Sequence, residues 1–253
     1  MKLNYKRLGE GEPLIIMHGL LGMLDNWMSL AKEYAEHFDV ILIDARNHGH
    51  SPWSDEHNYQ VMMEDIDELI SDLSLGEVNL LGHSMGGKAV MKYAQNHPLM
   101  VNKLIVADIG AKSYKPHHQQ IMDGLKNVPL DQLDKRTEAD EYLAEYIPEM
   151  GVRAFLMKSL YWKEKGQLAW RFNLDVLEKS LVEIGESIMD APFDGETLFI
   201  KGGNSNYIKD EDIKDIQAIF HDVQFETLKG AGHWLHAEKR EEFLEKTLQF
   251  LMS

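Results

Sequence analysis

The stretch that decides the fold runs from Val78 to Gly87 and reads VNLLGHSMGG. An apolar run typical of a buried strand leads into the pattern Gly-x-Ser-x-Gly, and a helical segment follows from Lys88 to Gln95. A serine hydroxyl is a weak nucleophile, so it has to stand at a sharp strand-to-helix turn where a base can reach it. The stretch therefore predicts a nucleophile elbow with Ser84 at its tip.

The composition of the chain excludes several classes of protein. With 253 residues, of which 44% are hydrophobic, the chain is long enough for one α/β domain with an insertion or for two small domains. The formal net charge of −16 argues against nucleic acid as a partner, because binding a polyphosphate backbone needs clustered Lys and Arg. The absence of cysteine excludes disulfides and thiolate catalysis, and no histidine spacing resembles a metal-ligand set. We therefore expect no metal and no cofactor.

The N-terminal region lacks the pattern of a targeting segment. Its first apolar run, Leu14 to Met17, is far shorter than a signal-peptide core or a membrane span. We interpret the chain as cytoplasmic, without stable membrane insertion, and as a monomer or homodimer.

Short buried strands alternate with amphipathic helices on both sides of the elbow. Besides the elbow strand, apolar runs predict strands at 14–17, 40–43, 103–108, 197–200 and 224–228, and helices at 25–37, 62–73, 210–220 and 238–252. This alternation implies a mostly parallel central sheet with right-handed crossovers and helices on both faces.

The alternation is interrupted between residues 111 and 190. No β-rich apolar run is apparent there, and the pattern predicts helices near 117–127, 137–147, 150–160 and 173–189, the first of them opened by His117 and His118. Ligands bind at the carboxyl ends of strands in doubly wound sheets, so an insertion at this point is predicted to cover the site as a helical lid. Residues 1–110 and 191–253 would then form the core domain.

Ser84 needs a general base, an orienting acid and an oxyanion hole. His233 is the strongest candidate for the base, because it follows the last predicted strand in the glycine-flanked loop GAGHW. The oxyanion hole is predicted at the backbone N–H groups of Leu20, in the loop HGLLG, and of Met85, at the start of the elbow helix.

Two carboxylates are candidates for the acid. Asp108 ends the strand beside the elbow strand, and neighbouring strands lie about 4.8 Å apart, so its side chain can reach a histidine above Ser84. Asp210 follows the next strand, but only after a loop in which Asn206 stands where an acid is expected, and it is well explained as a first-turn acid of a helix. Asp108 is favoured, and Asp210 stays open.

Six motifs together resemble the α/β-hydrolases of the YbfF-type esterase branch. They are HGLLG (18–22), DARNHGHS (44–51), GHSMGGK (82–88), WRFNL (170–174), GGNS (202–205) and GAGHW (230–234). The resemblance spans nearly the whole chain and implies the α/β-hydrolase fold, hydrolysis of short acyl esters and, in some members, of acyl thioesters. The acid that it implies is the aspartate after the strand that follows the elbow, which is Asp108.

Substrate-binding residues are harder to assign. Aromatic and basic side chains in the motifs and the lid are predicted to line the acyl pocket, namely Trp162, Trp170, Arg171, Phe172 and Trp234. The cations Arg46, Lys88 and Arg171 suggest an anionic substrate such as a coenzyme A thioester, which the overall negative charge opposes.

The sequence as a whole predicts a serine hydrolase that cleaves a small-molecule acyl ester through an acyl-enzyme. The same triad could serve carbon–carbon bond hydrolysis or perhydrolysis, since fold and triad do not separate these reactions. A ligand-binding protein on a hydrolase scaffold is the alternative from a different class.

Overall fold

The computed structural model describes residues 1–116 and 118–253, and the nine strands found there form two sheets. In chain order the strands are β1 (Tyr5–Leu8), β2 (Glu12–Met17), β3 (Phe38–Ile43), β4 (Val78–His83), β5 (Val101–Ala107), β6 (Leu160–Glu164), β7 (Gln167–Trp170), β8 (Glu196–Gly202) and β9 (Val223–Leu228). The expectation for His117 lies outside the described residues.

Seven of these strands form the central sheet, in the order β1-β3-β2-β4-β5-β8-β9. Every neighbouring pair is parallel except β1–β3 at one edge. The predicted α/β class with a mostly parallel sheet is confirmed. The edge strand β1 was missed because its sequence, YKRL, is polar and lies largely in solvent, so it lacks the apolar run of a buried strand.

Helices cover both faces of the central sheet and fill the segment between β5 and β8. They are α1 (Met28–Tyr34), α2 (Tyr59–Asp72), α3 (Met85–Asn96), α4 (Gln119–Asn127), α5 (Arg136–Ala144), α6 (Met150–Leu156), α7 (Leu174–Lys179), α8 (Leu181–Ile184), α9 (Ile213–Ile219), α10 (Leu235–Glu238) and α11 (Arg240–Leu251).

Alternate side chains of the buried strands pack on opposite faces of the sheet. Ile15 of β2 packs in a cluster with α2 and α3, whereas its neighbours Leu14 and Ile16 pack in a second cluster with α1 and α11. Because β4, β5 and β8 are parallel neighbours, their carboxyl ends lie side by side at one edge of the sheet, between the two helical layers.

Residues 111–190, which we call the cap segment, have a hydrophobic cluster of their own. The segment contains α4 to α8, but the prediction that it has no strands is wrong: β6 and β7 pair antiparallel around a turn in which Gly166 has a φ of +80°. The strands are only five and four residues long, and their sequences, LYWKE and QLAW, contain apolar runs that are too short to indicate a buried strand. The role of the segment as a lid stays a prediction.

Within residues 1–116 and 118–253, every helix is too short or too polar to cross a membrane.

Candidate active site

Ser84 stands at a strained turn between β4 and α3. Its φ of +53° and ψ of −118° are uncommon for a residue with a Cβ and carry a cost of about 1–3 kcal/mol. The flanking glycines make the turn possible, because a Cβ at Gly82 would lie 2.3 Å from the carbonyl oxygen of Gly86, and one at Gly86 would lie 2.4 Å from that of Met17. The turn is therefore built as a nucleophile elbow requires.

Asp108 and His233 meet beside the elbow. The Nδ1 atom of His233 lies 2.7 Å from Oδ2 of Asp108, whose side chain is completely buried. The same carboxylate accepts hydrogen bonds from the Gly202 amide, at 3.0 Å on Oδ1, and from the Ser205 hydroxyl on Oδ2. With three donors around it the carboxylate has one orientation, and it holds the His233 ring with Nδ1 protonated and Nε2 available as an acceptor.

The other candidate acid, Asp210, and the buried Asp44 after β3 do not contact His233 in the described structure. The Asp210 side chain is 93% exposed and pairs with Lys201 at 2.9 Å. Asp44 is buried, and its carboxylate accepts from the amides of Leu24 and His50. The structure thus brings Asp108 to His233, while Asp210 pairs at the surface and Asp44 holds neighbouring loops together.

Two residues that the sequence analysis did not single out position His233. The ring of Tyr207 stacks on the His233 ring at 4.1 Å between centroids, and Nε2 of His83 donates to the backbone carbonyl of His233 over 2.8 Å. Burial lowers the pKa of His83 well below its usual value, so its ring stays neutral. The hydrogen bond between His83 and His233 could not be predicted from the sequence, because the two histidines are 150 positions apart in the chain.

The two predicted oxyanion donors keep their N–H groups available. Met85 is the first residue of α3, and Leu20 lines the cavity above Ser84. Neither amide donates to another group within the described part of the chain, whereas the next amide along the loop, that of Leu21, donates to Nε2 of His48 over 3.1 Å. The donors can therefore serve an oxygen atom of a ligand.

A cavity of about 210 Å³ opens above Ser84. Its walls beyond the catalytic residues are mainly apolar, and the cap segment and the loop after β9 supply Ile121, Val152, Phe155, Leu156 and Trp234. The volume is below the roughly 300–1,000 Å³ of pockets for drug-sized ligands. The cavity therefore fits a small apolar group.

Of the five predicted substrate-binding residues, Trp234 is the one that lines this cavity within the described chain. Trp170 and Phe172 stack on each other at 5.6 Å inside the cap core, and Trp162 lies on the hairpin with 43% of its surface exposed. Arg171 packs over the ring of Tyr161. These four side chains lie outside the wall of this cavity because they pack within the cap segment or point to its surface, which a linear pattern does not distinguish from a pocket wall.

Arg46 and Lys88, two of the cations proposed to attract an anionic substrate, are also engaged elsewhere. Arg46 forms a buried ion pair with Asp65 at 2.6 Å. The Lys88 ammonium donates to the carbonyl oxygens of Lys112, at 2.9 Å, and of Glu186, and burial lowers its pKa to about 7. Since those two carbonyls lie near the start and the end of the cap segment, Lys88 ties both of its ends to the elbow helix.

Acid is expected to destabilise the protein through two buried histidines. Burial is the main cause that lowers the pKa values of His57 and His236 from 6.5 to about 3. Between pH 6.5 and about pH 3 these histidines are protonated in the unfolded chain but neutral in the folded one. The free energy of unfolding therefore falls as the pH falls, by about 1.4 kcal/mol per pH unit for each histidine.

Urea denaturation at pH 7 and pH 5 measures this effect. Both ring nitrogens of His57 are buried without a partner in the described structure, so His57→Phe should reduce the difference between the two pH values by about 2 kcal/mol. The exposed His37, changed to Gln, is the control. An unchanged difference in the His57 variant would contradict the assignment.

The chain is similar to several known proteins over most of its length. Residues 12–143 match the family model described as alpha/beta hydrolase fold. The chain is 39% identical to a putative esterase/lipase of Haemophilus influenzae, over 94% of this chain and 82% of that protein, and 33% identical to esterase YbfF of Escherichia coli, over 99% of both. A solved structure titled marine microorganism esterase superposes with a TM-score of 0.96 at 43% identity, covering 98% of this chain and 99% of that one.

Proposed function

Because this chain belongs to the α/β-hydrolase fold family and is a carboxylic ester hydrolase, we propose that it cleaves esters of short acyl chains through an acyl-enzyme formed on Ser84. The observation that carries the proposal is the contact of His233 with the buried Asp108 beside the strained elbow. A base oriented in this way is what a serine hydroxyl needs to become a nucleophile.

In the first half of the proposed reaction, Nε2 of His233 takes the proton of the Ser84 hydroxyl as its oxygen attacks the ester carbonyl. The amides of Leu20 and Met85 donate to the oxygen that becomes negative, and Asp108 stabilises the imidazolium. Collapse of the tetrahedral intermediate breaks the bond to the alcohol, which leaves with the proton from His233.

In the second half, a water molecule gives a proton to His233 and attacks the acyl group on Ser84. The acid leaves, and the serine regains its proton. No cofactor takes part. The same groups can attack a thioester, but Arg46 and Lys88 are held in internal contacts, so their charges give no support to a coenzyme A substrate.

The test of the proposal is labelling with a fluorophosphonate probe, followed by turnover of p-nitrophenyl esters of graded chain length. The probe should modify Ser84, and acetyl and butyryl esters should be turned over with higher kcat/KM than decanoyl esters. Absence of labelling at Ser84 would contradict the proposed acyl-enzyme, and a preference for decanoyl esters would contradict the proposed short-chain specificity.

Shortening the cavity wall is expected to extend the range of acyl chains. Phe155 of α6 contacts Trp234 at 5.6 Å between ring centroids, and both side chains line the cavity. Phe155→Ala should raise the ratio of octanoyl to butyryl kcat/KM by at least about tenfold, because even one further methylene accommodated in an apolar pocket contributes about 1–3 kcal/mol. Tyr142→Ala, which removes a partly exposed cap aromatic that does not line the cavity, is the matched control. A ratio that rises equally in both variants would show that the cap is merely loosened.

A further inference from the structure

Both backbone polar groups of Leu21, the residue after the proposed oxyanion donor Leu20, are held by side chains. Its amide donates to Nε2 of His48 over 3.1 Å, and its carbonyl oxygen accepts from the Ser159 hydroxyl over 3.2 Å. His48 lies in the loop after β3, whereas Ser159 lies in the cap segment between α6 and β6. The loop is thus clamped between the core and the cap.

Leu21 needs such support because its backbone is in a left-handed conformation, with a φ of +62°. This conformation is unfavourable for a residue with a branched side chain, and it persists when the surrounding structure demands it. The turn closes around Leu20 through a hydrogen bond of 3.0 Å from the Gly22 amide to the Gly19 carbonyl. The direction of the Leu20 N–H therefore depends on how Leu21 is held.

The side chain of Leu21 belongs to the cap rather than to the core. It is 2% exposed and packs in the cluster that otherwise consists of cap residues, among them Leu156 and Leu160, which bracket Ser159 in the chain. Ser159 is itself 2% exposed, and its other polar neighbour is the Met23 sulfur at 4.0 Å. Its hydroxyl therefore has one strong acceptor, the Leu21 carbonyl, in a site from which water is excluded.

The His48 side of the clamp also meets the cap. The backbone of His48 forms a bridge with Phe172, and the Asn173 amide donates to the Asn47 carbonyl over 2.9 Å. The His48 ring donates from Nδ1 to the Arg46 carbonyl, which leaves Nε2 as the acceptor for Leu21. Cap, core loop and oxyanion loop form one connected unit.

We propose that Ser159 is a positioning residue for the ester hydrolysis: its hydroxyl, by holding the Leu21 carbonyl, aims the Leu20 N–H at the developing oxyanion. This inference rests on the function proposed above. Removal of an oxyanion donor costs about 10²–10³ in kcat, and a displacement of about 1 Å in a catalytic group can cost 10²-fold. A donor that is loosened rather than removed should cost less, about tenfold.

The test compares Ser159→Ala with Ser180→Ala. Ser180 is a buried serine of the same cap segment whose hydroxyl makes no hydrogen bond within the described residues. With p-nitrophenyl butyrate, Ser159→Ala should lower kcat about tenfold and leave KM within about twofold. The Tm should fall by a few degrees, because the buried Leu21 carbonyl loses its partner, while the chain stays folded at the assay temperature. Ser180→Ala should keep the kcat of the unmodified chain.

A second measurement separates positioning from a general structural role. A trifluoromethyl ketone forms a tetrahedral adduct on the serine that needs the oxyanion donors, so its inhibition constant should rise in Ser159→Ala by about the factor by which kcat falls. Ser159→Thr, which keeps the hydroxyl, should have a kcat and an inhibition constant close to those of the unmodified chain.

Three results would overturn the proposal: an unchanged kcat in Ser159→Ala, an equal loss in Ser180→Ala, or a lower kcat with an unchanged inhibition constant. Failure of the proposed function gives a different result: the unmodified chain would turn over no ester. That result is seen before any Ser159 variant is made.

Discussion

Ser84→Ala is expected to abolish ester turnover and fluorophosphonate labelling while the fold is retained. Loss of the nucleophile in serine hydrolases with this arrangement costs about 10⁶ in kcat, because no other group can form the acyl-enzyme. Alanine meets the same backbone demand as serine at a φ of +53°, and the amide of residue 84 keeps its 3.0 Å hydrogen bond to the Ala107 carbonyl. Steady-state turnover of p-nitrophenyl butyrate and gel detection of the probe measure the two effects.

Ser180→Ala serves as the control for the loss of a serine hydroxyl, since Ser180 does not line the cavity above Ser84. Turnover in Ser84→Ala above about 1% of the unmodified rate would mean that another group attacks the ester, and the mechanism proposed for Ser84 would have to be abandoned.

Asp108→Asn should lower kcat by about 10³–10⁴. The Gly202 amide donates to Oδ1 and cannot turn away, so an asparagine would keep its oxygen there and direct its NH₂ group toward His233. The imidazole would then have to accept at Nδ1 and carry its proton on Nε2, and in that tautomer it cannot take the proton of Ser84. The loss should therefore appear in kcat, with little change in the Tm.

Asp210→Asn is the matched control, because it removes a carboxylate whose side chain is 93% exposed and whose partner is Lys201. We expect its kcat to stay within about twofold, since exposed ion pairs contribute little. A large loss in Asp210→Asn together with a small one in Asp108→Asn would reverse the assignment of the acid.

The elements of the core domain could be predicted from the sequence because their signals are local. The run from Val78 and the glycines around Ser84 predict a strand, a turn and a helix, and the structure has β4, the elbow and α3 at these places. The order of strands then places the ends of β4, β5 and β8 side by side, which is why Asp108 could be favoured before any distance was known.

The cap segment could not be predicted as well, since its strands are short and its apolar residues serve two purposes. Leu156 packs in the cap core and also lines the cavity above Ser84, whereas Trp170 packs in the cap core and does not line that cavity. The hydrophobicity pattern is the same for both kinds of residue. It therefore identifies which residues are buried, but not whether they pack against the cap core or line the cavity.

By itself, the sequence determined which chemical groups the protein has and at which strand ends they stand: the serine at its elbow, the aspartate after β5 and the histidine after β9. Only the tertiary structure decided which apolar side chains line the cavity, that four of the five residues chosen for the substrate lie elsewhere, and that the loop of Leu20 is clamped by Ser159 and His48. The physical reason is that catalytic groups follow from local backbone patterns, whereas cavities and clamps arise where segments far apart in the chain pack together.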